Sequence, residues 1–252
     1  MSIALMGVAL LGAVVAGAQQ KPVNFYSVDK ELELGTRLAG EVASQTTLLN
    51  NPAATAYVDR VVRELAAQIP DSPFRYVVSV LKDDARAEPM VLPGGYIYIP
   101  TGMLAAAQSE SEFAGLLAHA MADVALRTAT RMLTREDITQ IATLPLIYMN
   151  GWQGDAVRKG MGSAIPMGLQ QFRRRFRMDS DSMAIRTMAA AGYSPAELAK
   201  SVERSAKDDG MPGWQEFQAR RVAAIRDAAA AVTVAPGGDG AEFARVREML
   251  AK

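Results

Sequence analysis

The stretch ESEFAGLLAHAMADVALRTATR, residues 110–131, decides the fold of this chain. We predict a helix here, because Ser109 or Ser111 can cap its first turn and Glu112 adds the negative charge that a helix N-terminus favours. The helix contains His119 and Asp123, which are four residues apart and therefore lie on the same face. The sequence raises the question whether this face is a metal site, a different site or the remains of one.

The composition limits the chemistry that this face can perform. The chain has 252 residues, and half of them are hydrophobic, which suits one domain with a sizeable core, with or without a small helical extension. It contains no cysteine and one histidine, so it offers no disulfide, no thiolate metal ligand and no cysteine nucleophile. Lys+Arg and Asp+Glu each total 27, and this zero net charge gives no indication of a nucleic-acid partner.

The N-terminal residues predict export from the cytoplasm. An apolar run over residues 3–15 precedes Ala16-Gly17-Ala18, a pattern of small residues that is typical of a signal peptide cleaved near Ala18. The usual basic residues before the apolar run are missing. The alternative is an uncleaved anchor helix, for which the run is short. We therefore expect a periplasmic or secreted protein whose signal peptide covers residues 1–18.

The rest of the chain predicts a mostly helical α+β fold with one small sheet. The β-branched residues 74–81 predict a strand, and VLPGGYIYIP, residues 91–100, predicts two strands joined by a tight Gly-Gly turn. The glycine-rich residues 150–163 predict a mobile loop. A further helix begins at Ser194-Pro195. The other predicted helices cover residues 28–48, 52–69, 134–149, 166–190, 213–231 and 241–251.

Five segments of the chain carry a resemblance to a known family. In chain order they are VNFYSVDKELELGTRLAGEV, VLPGGYIYIPTGML, ESEFAGLLAHAMADVALRTATR, RMDSDSMAIRTMAAAGYSP and AEFARVREML. Together they resemble the HtpX/BepA-like zinc metallopeptidases, the gluzincin group that includes the CAAX prenyl proteases and forms metallopeptidase family forty-eight. The resemblance implies a zincin-like metallopeptidase fold over residues 19–235, followed by a linker and a C-terminal helix over residues 236–252.

The family's catalytic pattern matches this chain only in part. Family members bind zinc through both histidines of H-E-x-x-H and a glutamate from a later helix, and the glutamate of the motif is the general base. By position, His119 matches the first ligand, Ala120 the general base and Asp123 the second ligand. In the later helix, Arg177 matches the third ligand and Asp181 the aspartate behind the ligands. A methyl group cannot take a proton and a guanidinium repels zinc, so the resemblance implies a vestigial site without a cofactor.

Two arrangements of these residues remain open. In the first, Asp123 and Arg177 form an ion pair that replaces zinc in joining the two helices, with Asp181 as a further member. In the second, a metal is kept by His119, Asp123 and either Asp179 or Asp181, a ligand set that suits hard ions better than zinc. The family's later histidine is also missing, and WQEFQARR, residues 214–221, stands in that region.

These observations predict a binding protein rather than an active peptidase. The strand Tyr96, Ile97, Tyr98 and Ile99 matches the edge strand that aligns substrate in the family, and edge pairing needs no zinc. We expect polypeptide or envelope-protein partners, an active paralogue among the candidates, with peripheral membrane contact as a further expectation and no nucleic acid. The first alternative is an active zinc-dependent metalloendopeptidase, and the second is a purely structural envelope protein.

Overall fold

The computed structural model describes residues 23–147, 152–204, 210–237 and 240–250, and it describes residues 141–147 and 152–167 by their backbone alone. The predicted signal peptide therefore lies outside the described residues. Within the described ranges, no helix combines the length and the apolar character needed to cross a membrane.

The described residues form a mostly helical α+β fold, as the sequence predicts. The helices are α1 (Val28–Gln45), α2 (Pro52–Ala66), α3 (Thr101–Ala106), α4 (Glu110–Ala125), α5 (Thr128–Ile147), α6 (Trp152–Ala190), α7 (Ala196–Arg204), α8 (Trp214–Ala230) and α9 (Ala241–Leu250). The strands are β1 (Val77–Leu81), β2 (Met90–Val91) and β3 (Tyr96–Pro100).

Local sequence signals set several of these helix ends. The hydroxyl of Ser109 accepts a hydrogen bond from the backbone N–H of Glu112, so Ser109 is the cap of α4. Asn51 caps α2 in the same way, with Pro52 at the first helical position. Gly192 follows α6 with a φ of 86°, a left-handed conformation that glycine adopts without a steric cost.

Residues 152–163 of the glycine-rich segment belong to α6, which begins at Trp152, and do not form the predicted loop; residues 150 and 151 lie outside the described residues. Glycine costs about 1 kcal/mol relative to alanine inside a helix, which weakens a helix without forbidding it. The segment also contains strong helix formers, including Ala156, Arg158, Lys159 and Met161.

The sheet has the order β1-β3-β2 and packs beside α4 and α2. Strand β3 pairs in parallel with β1, with Val77 opposite Tyr96, and antiparallel with β2, with Val91 opposite Ile97. The tight turn before β3 requires Gly95, whose φ is 103°, because a Cβ there would lie 2.2 Å from the carbonyl oxygen of Arg75.

Helix α4 runs through the centre of the molecule, packed against α5, α6 and α7. Leu117 and Met121 on α4 are fully buried, and Met188 of α6 lies among them in the same core. The C-terminal helix α9 belongs to this core too, since Phe243 stacks on Phe113 with ring centroids 6.3 Å apart. Burial on several sides holds the backbone of α4 in place, and this fixes the direction of its one polar face.

A buried ion pair fixes the junction between α4 and α5. Arg127 has a φ of 56°, the left-handed conformation that separates the two helices. Its Nε donates to Glu31 of α1 at 2.7 Å, and the hydroxyl of Thr130 donates to the same carboxylate oxygen at 2.6 Å. Glu31 is 1% exposed, so both donors compensate a carboxylate that has lost its water.

Candidate functional site

A cavity of about 240 Å³ opens beside the polar face of α4. Helix α4 contributes His119, Ala120 and Asp123 to it, while α6 contributes Arg177. Helices α7 and α8 form a further wall, and β2 with the residues before it lines the remaining side. The sequence-predicted residues of α4 and α6 therefore do meet in one cavity, although they lie more than 50 positions apart in the chain.

His119 lies between two carboxylates. Its Nδ1 is 3.0 Å from Oδ1 of Asp181, although the angle falls outside good hydrogen-bond geometry, and its Nε2 is 3.8 Å from Oδ2 of Asp123. Burial lowers the pKa of His119, but the charges of Asp123 and Asp181 outweigh burial and raise it above its ordinary value. His119 is therefore more easily protonated here than a histidine in water, because each of its nitrogens faces a carboxylate.

Asp181 is held by an arginine that the sequence analysis did not single out. Arg221 of α8 donates from Nε to Oδ2 at 2.6 Å and from Nη2 to Oδ1 at 2.8 Å, a bidentate pair with both side chains largely buried. Burial raises the pKa of Asp181, but the hydrogen bonds from Arg221 and the proximity of His119 outweigh burial and lower it to about 2. Asp181 is therefore a carboxylate at any physiological pH.

Asp123 is bound to α6 through a serine. The hydroxyl of Ser180 donates to Oδ1 of Asp123 at 2.6 Å, and Ser180 is fully buried. Asp123 itself is half-buried, with 26% of its side chain exposed to the cavity and solvent. The contact joins α4 to α6 beside the contact between His119 and Asp181.

The predicted ion pair between Asp123 and Arg177 is not among the contacts of the described side chains. Arg177 lines the same cavity, but its guanidinium carbon lies 5.8 Å from the ring centroid of Trp214, at the start of α8. The partners described for Asp123 are Ser180 and His119. Among the described side chains, the guanidinium that pairs with a carboxylate at this site is that of Arg221, and the carboxylate is Asp181.

The same geometry bears on the metal-binding arrangement. Within the described residues there is no group of three or more histidine, aspartate or glutamate side chains placed to hold a metal ion. The two nitrogens of His119 face different carboxylates, and both oxygens of Asp181 accept from Arg221. Asp179, the other candidate ligand, acts electrostatically on Arg131 of α5. These side chains do not converge on one point as ligands of zinc or of a hard ion would.

The predicted edge strand, Tyr96 to Ile99, is the central strand of the sheet, and this corrects the sequence analysis. Strand β3 has β1 on one side and β2 on the other, so its backbone groups are already paired. The sequence analysis predicted a strand on each side of the Gly-Gly turn, but it did not predict that β1, from an earlier segment, pairs with the other side of β3. The edge next to the cavity is β2, and Val91 of β2 lines the cavity directly.

Helix α8 supplies the residues that the sequence analysis missed. Besides Arg221, it brings Gln218 to the cavity, and Oε1 of Gln218 is buried with no hydrogen-bond partner in the described part of the chain. Both residues lie in the segment WQEFQARR, which the sequence analysis considered only for the histidine that it lacks. Trp214 and Phe217 are its buried residues, and the side chains one helical turn later, Gln218 and Arg221, follow from that spacing.

The chain was compared with models of protein families and with individual known proteins, and the two comparisons agree. The model of peptidase family M48 matches residues 52–241. The chain is 24% identical over 190 residues to a Vibrio cholerae serotype O1 protein provisionally named a beta-barrel assembly-enhancing protease, a match that covers 72% of this chain and 39% of that protein.

Beta-barrel assembly-enhancing proteases of Yersinia pestis and Escherichia coli (strain K12) are similar to the chain at 21% and 19% identity. These matches each cover 71% of this chain and 38% of the relative, so the chain spans about two fifths of the length of the relatives it matches. Because the family model matches well over half of its residues, the chain belongs to peptidase family M48.

Proposed function

We propose that this chain is a catalytically degenerate member of its peptidase family and that it binds polypeptides without cleaving them. The observation that carries the proposal is the bidentate pair between Asp181 and Arg221, which puts a guanidinium directly behind the position of the family's first ligand. Because both oxygens of Asp181 accept from Arg221, this carboxylate is already occupied and is not available as a ligand of a metal ion.

The residues at the family's catalytic positions also argue against peptidase activity. Ala120 stands where a general base is needed, and a methyl group can neither take nor hold a proton. Losing a general base alone typically costs on the order of 10²- to 10⁴-fold in rate. Since His119 faces one carboxylate with each nitrogen, we expect it to act as a charged core histidine rather than as a zinc ligand.

Polypeptide binding does not depend on these groups. Strand β2 borders the cavity and pairs with β3 on one side, and the described residues provide no strand neighbour on its other side. An extended polypeptide can add to such an edge through backbone hydrogen bonds, with side chains entering the adjacent pocket. We therefore propose the groove between β2 and helices α7 and α8 as the binding site.

The names of the relatives suggest partners and a location for the chain. Three of them carry the name beta-barrel assembly-enhancing protease, so we propose envelope proteins as partners, with an active paralogue as one candidate, and a periplasmic or secreted location. Because the chain spans about two fifths of those relatives, their full activity is not transferred with the match.

The second candidate is an active zinc-dependent metalloendopeptidase. Its support is the family match together with relatives that are named proteases. It requires a zinc ligand set that includes residues other than those carried over by position, because Arg177 cannot be a ligand at neutral pH.

Metal content and proteolysis together separate the two candidates. The full chain is purified without added zinc, and its metal content and its cleavage of casein with and without chelator are measured. We expect less than about 0.1 zinc per chain and no chelator-sensitive cleavage. Stoichiometric zinc with cleavage that is lost in His119→Ala would establish the peptidase instead.

A reverted variant provides the positive control. Ala120→Glu, Asp123→His and Arg177→Glu together restore the family's base and ligands at the positions assigned by sequence. Zinc uptake by this triple variant, measured under the same conditions, would show that the fold can hold the metal and that the natural side chains prevent it.

A further inference from the structure

We propose that a second surface of the molecule docks on an anionic lipid membrane. This surface, called the arginine surface below, is formed by Arg131 and Arg135 of α5, Arg175 of α6, and the N-terminal residues Val23 and Phe25. The proposed binding of polypeptides does not depend on it, because none of these residues lines the cavity. The membrane is inferred from an excess of positive charge next to exposed apolar side chains.

Two phenyl rings of α6 hold the arginines of α5 at the seam between the two helices. The guanidinium carbon of Arg131 lies 4.4 Å from the ring centroid of Phe176. That of Arg135 lies 4.5 Å from the ring centroid of Phe172. Such stacking uses the face of a guanidinium and leaves its N–H donors in the plane of the group. Arg175 directly precedes Phe176 and is exposed, so a third cation lies beside the same seam.

The positive charge of this surface is only partly matched by carboxylates. Burial lowers the pKa of Arg131, and the charge of Asp179 raises it. The like charges of Arg135 and Arg175 lower this pKa again, and the result lies below its ordinary value. Among the described side chains, none of the three arginines forms an ion pair, and Glu136 pairs with another arginine of α6 at 3.4 Å. The hydrogen bond from Arg131 goes to a neutral backbone carbonyl at 3.3 Å.

Exposed apolar side chains lie next to the arginines. The backbone N–H of Phe25 donates to the hydroxyl of Thr134 at 3.0 Å. Thr134 follows Arg131 by three positions, and residues at this spacing are neighbours on a helix surface, so the backbone of Phe25 is fixed beside Arg131. Val23 and Phe25 are each 53% exposed. Apolar side chains beside arginines are typical of surfaces that lie on a membrane.

An anionic bilayer matches both parts of this surface. Lipid phosphate oxygens accept charge-assisted hydrogen bonds from guanidinium groups, and Val23 and Phe25 can enter the apolar boundary below the headgroups. A soluble anion would match the arginines alone. Residues 16–22, seven in number, separate Val23 from the apolar run over residues 3–15, and seven residues span at most about 25 Å. The alternative fate of that run, an anchor helix, would therefore hold a membrane close to the same surface.

Vesicles that differ in charge test the proposal. The full chain is mixed at low salt with vesicles of phosphatidylcholine alone, or of equal parts phosphatidylcholine and phosphatidylglycerol, and the bound fraction is measured by sedimentation. We expect binding to the anionic vesicles to be tighter by roughly tenfold or more, since each arginine near an anionic surface contributes about fivefold. Binding through the apolar run occurs with both kinds of vesicle and cancels in the ratio. Equal binding to both would overturn the proposal.

Substitutions in the two helices assign the charge effect. Arg135→Gln combined with Arg175→Gln should weaken binding to anionic vesicles by about 25-fold and leave binding to neutral vesicles unchanged. Arg135→Lys combined with Arg175→Lys keeps both charges and should bind within about threefold of the natural chain, which separates loss of charge from loss of stacking. Anionic binding by the glutamine variant that is as tight as that of the natural chain would overturn the proposal.

A single exposed substitution tests the same point if the double variant does not fold. Arg175→Gln should weaken binding to anionic vesicles by about fivefold. Its matched control is Arg220→Gln, which removes an exposed arginine from α8 and should change this binding by less than about twofold, because charges beyond a Debye length are screened. Equal losses in the two variants would show that net charge alone drives binding, and this would overturn the assignment to the arginine surface.

Two further measurements distinguish a membrane from a soluble anion. Phe25→Ser should weaken binding to neutral and anionic vesicles alike, because burial of a phenyl ring does not depend on lipid charge. Unchanged binding in this variant would show that the face does not meet the bilayer and would overturn the proposal. Inorganic phosphate should displace the chain from anionic vesicles no better than chloride at the same ionic strength. Stronger displacement by phosphate would replace the lipid surface with a site for a single phosphate group.

Discussion

Glu31 and Asp181 are both buried carboxylates that accept a charge-assisted hydrogen bond from an arginine. Glu31 joins α1 to the junction of α4 and α5, and its second donor is the hydroxyl of Thr130. Asp181 joins α6 to α8, with His119 beside it and a cavity on the far side of Arg221. The same kind of bond therefore fixes a helix junction in one region and forms part of the wall of a cavity in the other.

The difference lies in what surrounds each pair. Glu31 depends on Arg127 for its countercharge, whereas Asp181 has Arg221 and a histidine with a raised pKa. Losing the arginine should therefore harm the first region more than the second. The four predictions that follow test this contrast.

The largest effect is expected for Arg127→Ala. It leaves the Glu31 carboxylate buried with only the Thr130 hydroxyl as a donor, and breaking one side of a buried pair costs about 3–5 kcal/mol. Urea denaturation would measure the loss in the free energy of unfolding. Arg37→Ala, which removes an exposed arginine from α1, should change it by less than about 0.5 kcal/mol. A loss below about 1 kcal/mol for Arg127→Ala would contradict the importance of this pair.

Arg221→Ala should cost less, about 2–3 kcal/mol, because His119, whose pKa is raised, remains next to Asp181 as a second source of positive charge. The raised pKa of His119 means that its contribution is complete below its ordinary value of about 6.5 and is lost as the pH rises through the folded value. The variant should therefore be less stable at pH 9 than at pH 6 by a larger margin than the natural chain. If the difference in stability between pH 6 and pH 9 is no larger in the variant than in the natural chain, His119 does not stabilise Asp181 when Arg221 is absent.

Acid should weaken the Asp181 region in a defined range. The pKa of Asp181 is lowered to about 2 from an ordinary 3.8, so its contribution is complete above pH 4 to 5 and is lost as the pH falls toward 2. The shift corresponds to about 2 kcal/mol. As the pH falls from 5 to 2, the free energy of unfolding should therefore decrease by about 2 kcal/mol less in Asp181→Asn than in the natural chain. Denaturation at successive pH values measures this difference.

The smallest effects come from the two hydroxyl donors. Thr130→Val removes a hydrogen bond to Glu31, which water cannot reach, and should cost about 1–2 kcal/mol. Ser180→Ala removes one to Asp123, which is partly exposed, and should cost less than about 1 kcal/mol because water can replace the donor. Parallel urea titrations of both variants measure the order, and its reversal would show that exposure does not set these costs.

The sequence predicted the parts of the molecule that local chemistry determines. Ser109 caps α4 as expected, and His119 and Asp123 share a face because the helical period requires it. The position of Asp181 behind His119 also agrees with the sequence interpretation, since α6 begins well before it and its register can be counted from Gly192.

The sequence did not predict relations that depend on packing between distant elements. Arg221 reaches Asp181 because α8 packs on α6 and α7, and nothing within residues 214–221 specifies which helix they will contact. Likewise, β3 is a central strand because β1 pairs with it in parallel from a distant part of the chain, a tertiary arrangement that propensity does not encode.

The shortness of β2 has a consequence for self-association. Long exposed strand edges let copies of a protein join into continuous sheets, which is a common route to aggregation. Strand β2 spans only Met90 and Val91, and Pro89 directly before it has no backbone N–H to offer. An edge of two residues next to a proline is too short to template a growing sheet between copies of the chain, although it has room for the short extended segment that we propose as its occupant.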